Sequence, residues 1–81
     1  MLESTKILKS MRAKQGYDIC DMAKILPFHR ETYRRYENNP LKVDSNILFD
    51  IVEVLNGDLD ELFYALKQDY LSCKKNLEKQ E

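Results

Sequence analysis

Apolar and polar positions alternate at a spacing of three to four residues along most of the chain, and the pattern stops at only a few places. Ile7, Leu8 and Met11 recur at that spacing with Lys6, Lys9, Arg12 and Lys14 between them, and Gly16 follows as the stop of a first helix. Asp18 can cap a second helix by accepting its free first-turn amides, and Ile19, Met22, Ala23 and Leu26 supply an apolar stripe. Pro27 pushes Leu26 out of helical dihedrals and lacks an amide donor, so this helix ends near Ile25. A third helix starts at His29 or Arg30 and runs to Glu37, with Phe28, Tyr33 and Tyr36 facing inward and nearly every other position polar. Asn38, Asn39 and Pro40 form a turn, after which Asp44 or Ser45 caps a helix carrying Ile47, Leu48, Ile51, Val52 and Leu55. Asn56 and Gly57 end it, either being able to take a left-handed conformation. Asp58 with Glu61 makes a capping-box-like start for a fifth helix that continues through Leu77, before a tail expected to fray. No β alternation and no internal repeat interrupts this sequence of helices, so the fold class is all-α.

Size and charge narrow the reading. A chain of 81 residues allows one small domain, marginally stable alone, for which dimerisation or a partner matters. No apolar run reaches the length of a membrane span, and the start MLESTKILKSMRAK lacks a signal-peptide stretch, so a cytoplasmic protein without membrane contact is expected. Cys20 and Cys73 lie on separate segments without zinc-ligand or CxxC spacing and read as two reduced thiols; no metal or other cofactor is expected. The net charge of -1 hides an asymmetry: residues 1–35 hold 8 Lys/Arg against 4 Asp/Glu, and residues 36–81 hold 5 against 10. The local basic footprint is what matters for nucleic acid, while acidic residues elsewhere discourage binding to random sequence.

The basic half contains the most informative segment, DICDMAKILPFHRETYRRYE at residues 18–37: two short helices broken at Pro27, the second carrying Arg30, Arg34 and Arg35. That is the shape of a helix placed in a groove of duplex DNA. The bland alternative is a solvated helix whose arginines make exposed pairs of a few tenths of a kcal/mol. Catalysis has little to stand on. Asp58, Asp60 and Glu61 cluster where the exposed amides of a helix start favour carboxylates, and no Gly-rich phosphate loop, HExxH or EF-hand loop is present. Tyr17, Tyr33, Tyr36, Tyr64 and Tyr70 read as packing residues with wet hydroxyls.

The patterns L-K-S-M-R-x-K-x-G-Y-D-x-x-x-M-A-x-x-L, F-H-R-E-T-Y-R-R-Y-E and I-x-x-V-L-N-G-D-L-D-E-L-F, in that order, resemble the lambda-repressor-like, Cro-like helix-turn-helix domain of phage repressors and small bacterial regulators. The resemblance covers roughly residues 7–66. It implies a five-helix core at residues 1–66 with a C-terminal helical extension at 67–81, and a first helix beginning near Ile7. Ala23 then corresponds to the small residue where the two motif helices meet, Met22, Leu26 and Tyr33 to core positions, and Tyr36-Glu37 to the end of the recognition helix. Pro27 stands where the family usually has Gly, which implies a different inter-helix angle or a turn longer by a residue. Ile19 stands where a Gln usually reaches the DNA backbone, leaving that contact to Lys24 or Arg12.

By the same resemblance Arg30, Glu31 and Arg35 face base edges, His29 sits at the cap and Arg34 lies toward the side of the helix. Arginine pairs with guanine O6 and N7 and glutamate accepts from cytosine N4, so a G/C-containing half-site is expected. Lys14, Lys24, His29, Arg34, Asn38, Asn39 and Lys42 are the candidates for phosphate contacts. Leu59, Phe63, Leu66, Tyr70, Cys73 and Leu77, spaced 4, 3, 4, 3, 4, form a short heptad-like seam that either joins a homodimer or folds back over the first helix. The expected function is a sequence-specific, repressor-like regulator of transcription that binds double-stranded DNA as a symmetric dimer. The alternative is a protein-interaction module that keeps the fold and reads a protein partner through Ile19, Phe28 and the seam.

Overall fold

The structure is a computed structural model that describes residues 2–79, with side chains described through residue 74. Five α-helices follow one another: α1 (Glu3–Gln15), α2 (Ile19–Ile25), α3 (Arg30–Asn38), α4 (Ser45–Leu55) and α5 (Leu59–Lys79). A single 3-10 turn, η1 (Pro40–Lys42), sits between α3 and α4, and no strand occurs among the described residues.

Local chemistry sets the ends. α1 stops at Gly16 in the left-handed region (φ 73°), with Tyr17 N–H donating to the Arg12 carbonyl at 3.2 Å and Gly16 N–H to Ala13 at 3.0 Å, a Schellman closure. α2 opens with a complete capping box: Asp18 Oδ1 accepts from Asp21 N–H at 2.8 Å, and Asp21 Oδ2 accepts from Asp18 N–H at 3.1 Å. α4 ends at Asn56, which takes the left-handed conformation (φ 51°), while Gly57 is needed for a different reason. A Cβ at Gly57 would run into the Met11 side chain, so glycine lets α1 pack against this corner. Two expected caps differ. Asp44 holds the N-cap position of α4 without a side-chain cap bond, and Asp58 Oδ1 accepts from Asp60 N–H at 2.9 Å without the reciprocal Glu61 half of the box.

The core is one cluster drawn from all five helices: Leu8 and Met11, Met22 with Leu26 just past the end of α2, Tyr33, Leu48, Ile51, Val52 and Leu55, and Leu62. Burying these side chains at roughly 1.5–3 kcal/mol each is what holds so small a domain together.

α1 begins four residues earlier than the resemblance implied, at Glu3, and the reason lies on α5. The buried Asp69 carboxylate accepts from Glu3 N–H at 2.8 Å, from Ser4 N–H at 2.9 Å and from the Ser4 hydroxyl at 2.6 Å. Leu2, at the N-cap position, makes no side-chain cap bond, so this distant carboxylate satisfies the first-turn amides instead. Burial pushes the Asp69 carboxyl up, but the Ser4 hydroxyl and the Ser4 and Glu3 amides outweigh it and hold it below the usual carboxylate value.

The buried face of α5 is therefore Leu62, Ala65 and Asp69, flanked by the half-buried Leu59 and Leu66 that pack on the core. The heptad-like seam divides: Leu59 and Leu66 fold back on their own domain, Phe63, Tyr70 and Cys73 are exposed, and Leu77 lies beyond the residues whose side chains are described. Two tyrosine expectations are corrected at the same time. Tyr64 and Tyr70 are exposed rather than packed, because α5 presents them away from the core, and the Tyr33 hydroxyl is fully buried rather than wet.

Candidate nucleic-acid interface

α2 and α3 are joined by a turn in which every residue is accounted for. Leu26 is extended (φ -98°, ψ 152°), its N–H still donating to the Met22 carbonyl at 2.9 Å, and Phe28 N–H donates to the Leu26 carbonyl at 2.8 Å. Pro27 is the central residue of that three-residue closure, a place where its fixed φ fits and no amide is missed. Positive φ among the described residues occurs only at Gly16 and Asn56, so the turn needs no left-handed residue, and Pro27 is compatible with it. Beyond it Phe28 stacks edge-on against Tyr36, ring centroids 5.3 Å apart, and His29 is extended at the N-cap position of α3 without a side-chain cap bond.

The inner face of α3 is set by Tyr33 and Glu37, both buried. Glu37 meets a forked partner: Arg12 Nε donates to Oε2 and Arg12 Nη2 to Oε1, each at 3.0 Å, while Arg12 Nη1 donates to the Tyr17 carbonyl at 3.1 Å. One guanidinium thus ties the end of α3 to the corner between α1 and α2 with the planar geometry carboxylates prefer. The hydrogen bond to Glu37 outweighs burial and holds the Arg12 guanidinium still more firmly protonated than usual. The Tyr33 hydroxyl, beside Glu37, has no hydrogen-bond partner among the described residues; burial first, then the Glu37 charge, keeps the phenol protonated. Thr5 Oγ1 adds a bond to the Asn38 carbonyl at 3.3 Å. Arg12 is therefore committed inside the domain and is not a substitute phosphate contact for the position held by Ile19.

The outer face of α3 carries the residues expected at the bases. Arg30, Glu31, Arg34 and Arg35 are all exposed. Arg34 Nη1 lies 3.8 Å from Glu31 Oε1, a loose pair across one turn. Arg30 Nη1 lies 3.8 Å from Cys20 Sγ on α2, and that contact, with the charges near it, favours the protonated guanidinium. Arg35 has no ion-pair partner among the described residues; it lines an open cleft of roughly 320 Å³ with Tyr36, Asn38, Asn39, Lys42 and Val43. Four sequence-predicted residues, Arg35, Asn38, Asn39 and Lys42, are thereby brought to one place at the end of α3 and along η1. Lys24 is exposed in the last turn of α2 and His29 is exposed at the start of α3.

Lys14 does not join them. It lies two positions from Arg12, on the opposite side of α1, and lines a separate cleft of roughly 250 Å³ with Gln15, Asp58 and Glu61. Ile19 and Phe28, the expected protein-reading residues, are half-buried and packed against the core. Sequence reading missed Glu37 and Asp69 as organising residues. The signal was present in both cases: Glu37 falls four residues after core Tyr33, and Asp69 continues the Leu62–Ala65 stripe by another turn.

Among the described residues no helix is long and apolar enough to cross a membrane. No curated protein and no solved structure matches the chain significantly. A family model described as Helix-turn-helix matches residues 8–62, from the core residue Leu8 of α1 to the core residue Leu62 of α5. With that span, its two short helices joined through Pro27 and its arginine-rich outer face, the chain belongs to the lambda-repressor- and Cro-like helix-turn-helix family of DNA-binding regulators.

Proposed function

We propose that this chain is a sequence-specific, repressor-like regulator that reads double-stranded DNA as a homodimer, with α3 of each copy in the major groove. The observation that carries the reading is the division of α3 into a buried, arginine-tethered face and an exposed face of Arg30, Glu31, Arg34 and Arg35. In this reading Arg30 and Arg35 donate to guanine O6 and N7, and Glu31 accepts from cytosine N4 while repelling phosphate in a misplaced register. Lys24, His29, Arg34, Asn38, Asn39 and Lys42 approach phosphates, and the cleft at the end of α3 is where a backbone oxygen is held. Lys14, in its cleft with Asp58 and Glu61, is left out of the proposed contact set. Binding itself is the activity: occupancy of the operator blocks or recruits other proteins, with no catalytic step, in the cytoplasm.

Two half-sites joined by one protein interface raise effective concentration, which a single domain with few base contacts needs. Selection of bound sequences from a random duplex pool tests the proposal. It expects a motif of two G/C-containing half-sites related by two-fold symmetry and centred about 34 Å apart. A pool that enriches no sequence overturns it.

A further inference from the structure

We infer that Cys20 is a positioning residue for DNA recognition: its thiol holds the Arg30 guanidinium by one corner, so that the opposite edge is presented to a guanine. This rests on the reading of Arg30 proposed above and adds a residue of α2 to it. Cys20 stands between Asp18 and Asp21, whose reciprocal cap bonds of 2.8 and 3.1 Å fix the first turn of α2. Arg30, by contrast, opens α3 at a start where His29 makes no side-chain cap bond. Its guanidinium has no ion-pair partner among the described residues, and the neighbouring Glu31 lies toward Arg34 instead. The contact it does make crosses the motif: Arg30 Nη1 donates to Cys20 Sγ at 3.8 Å. The sulfur sits on a fixed turn, so it limits where a long side chain with many rotamers points.

Arg12 displays in the same molecule what this division of donors does. Its Nη1 donates to the Tyr17 carbonyl at 3.1 Å, while Nε and Nη2 together grip the two carboxylate oxygens of Glu37, each at 3.0 Å. One corner is anchored and the free edge forks. Arg30 has the same corner anchored, and its Nε and Nη2 are the pair of parallel donors that matches guanine O6 and N7. The two sites differ in strength. A thiol is a weak acceptor and both Cys20 and Arg30 are exposed, so the contact adds little stability; it reduces the freedom that Arg30 loses on meeting a base. Its effect therefore belongs to recognition. Among the described residues neither Arg34, loosely paired with Glu31, nor Arg35, in its cleft with Asn38 and Lys42, is held from α2 in this way.

Two measurements test the assignment, the first without DNA. NMR relaxation of the arginine Nε–H groups should find Arg30 more ordered than Arg35 in the unaltered chain. In Cys20→Ala the order of Arg30 should fall to that of Arg35, and Cys20→Ser, which keeps an acceptor, should restore part of it, with urea unfolding unchanged in both variants. The second measurement is competition binding on the duplex obtained by selection. Cys20→Ala should lower the preference for that duplex over random DNA by about two- to fivefold and Cys20→Ser by less, with the salt slope unchanged in both. In an Arg30→Ala background Cys20→Ala should have no further effect, because the side chain it positions is gone. Arg30 equally ordered with and without the thiol, Cys20→Ser no better than Cys20→Ala, or a loss that persists in the Arg30→Ala background would each overturn the assignment. A selection that enriches no motif overturns the base-reading proposal instead, and the relaxation measurement still decides whether Cys20 holds Arg30.

Discussion

Glu37 and Glu31 stand six positions apart on α3 and each meets an arginine, yet Glu37 is 1% exposed and accepts two bonds of 3.0 Å, whereas Glu31 is 67% exposed and lies 3.8 Å from its partner. The first pair was removed from water on folding, so its value depends on keeping every hydrogen bond. The second remains in water, where attraction between charges is small and either residue is free to exchange its partner for a base or a phosphate. One helix thus carries a face that fixes its orientation and a face that remains available. Substitutions on the two faces should separate into losses of stability and losses of DNA recognition.

The largest effect is expected at the buried pair. Arg12→Ala leaves the Glu37 carboxylate buried without its fork and should cost roughly 3–5 kcal/mol in urea unfolding, enough to unfold much of a domain this small. Arg12→Met combined with Glu37→Leu removes both charges and should recover most of that loss. If the double variant is no more stable than Arg12→Ala, the penalty arises elsewhere than in the stranded carboxylate.

Asp69 provides a second inner contact with a pH signature. Asp69→Asn should destabilise by about 1–3 kcal/mol near neutrality, since the charge-assisted bonds to Glu3, Ser4 and the Ser4 hydroxyl are weakened. The carboxyl is held below its ordinary value of 3.8 in the folded chain, so its contribution is present above that pH and disappears as pH falls through the folded value. The stability gap between the original chain and Asp69→Asn should therefore close in acid, as followed by helical circular dichroism. A gap independent of pH would show that the charge is not what caps α1. Truncation after Leu66 removes Asp69 and should destabilise in the same sense.

On the outer face the effect moves from stability to recognition. Lys24→Ala should weaken binding to all duplexes evenly and reduce the salt slope by about 1, with stability changed by no more than about 0.5 kcal/mol. Pro27→Gly should have the smallest consequence. The turn requires no left-handed residue, so the substitution mainly adds freedom to the unfolded chain, costing up to about 1 kcal/mol in thermal or urea unfolding. A larger loss would mean that the ring of Pro27 holds the turn through contacts and not only through its dihedral.

Local periodicity made much of this legible. The spacing of Leu8 and Met11, the break at Pro27, and the runs through Leu55 and Leu62 place five helices and most of the core, because each signal is contained within one or two turns. Pairings across the fold were hidden: Arg12 meets Glu37 25 residues away, and Asp69 meets Ser4 65 residues away. Arg12 among other cations looks like a surface residue until α3 is folded against it. The heptad-like spacing on α5 was real, but a spacing of three and four fits more than one side of a helix, and Asp69 settles which side is buried.

The central claim is that the outer face of α3 reads bases while its inner face only orients it, and competition binding of Arg30→Ala and Arg35→Ala tests this most directly. Each variant is measured on the selected duplex and on random duplex at fixed salt. The expected result is a loss of about 1–3 kcal/mol on the selected duplex, a much smaller loss on random DNA, relaxed preference at one base pair, and unchanged unfolding. Equal losses on both duplexes for both variants would contradict the account, since the two arginines would then contribute only charge.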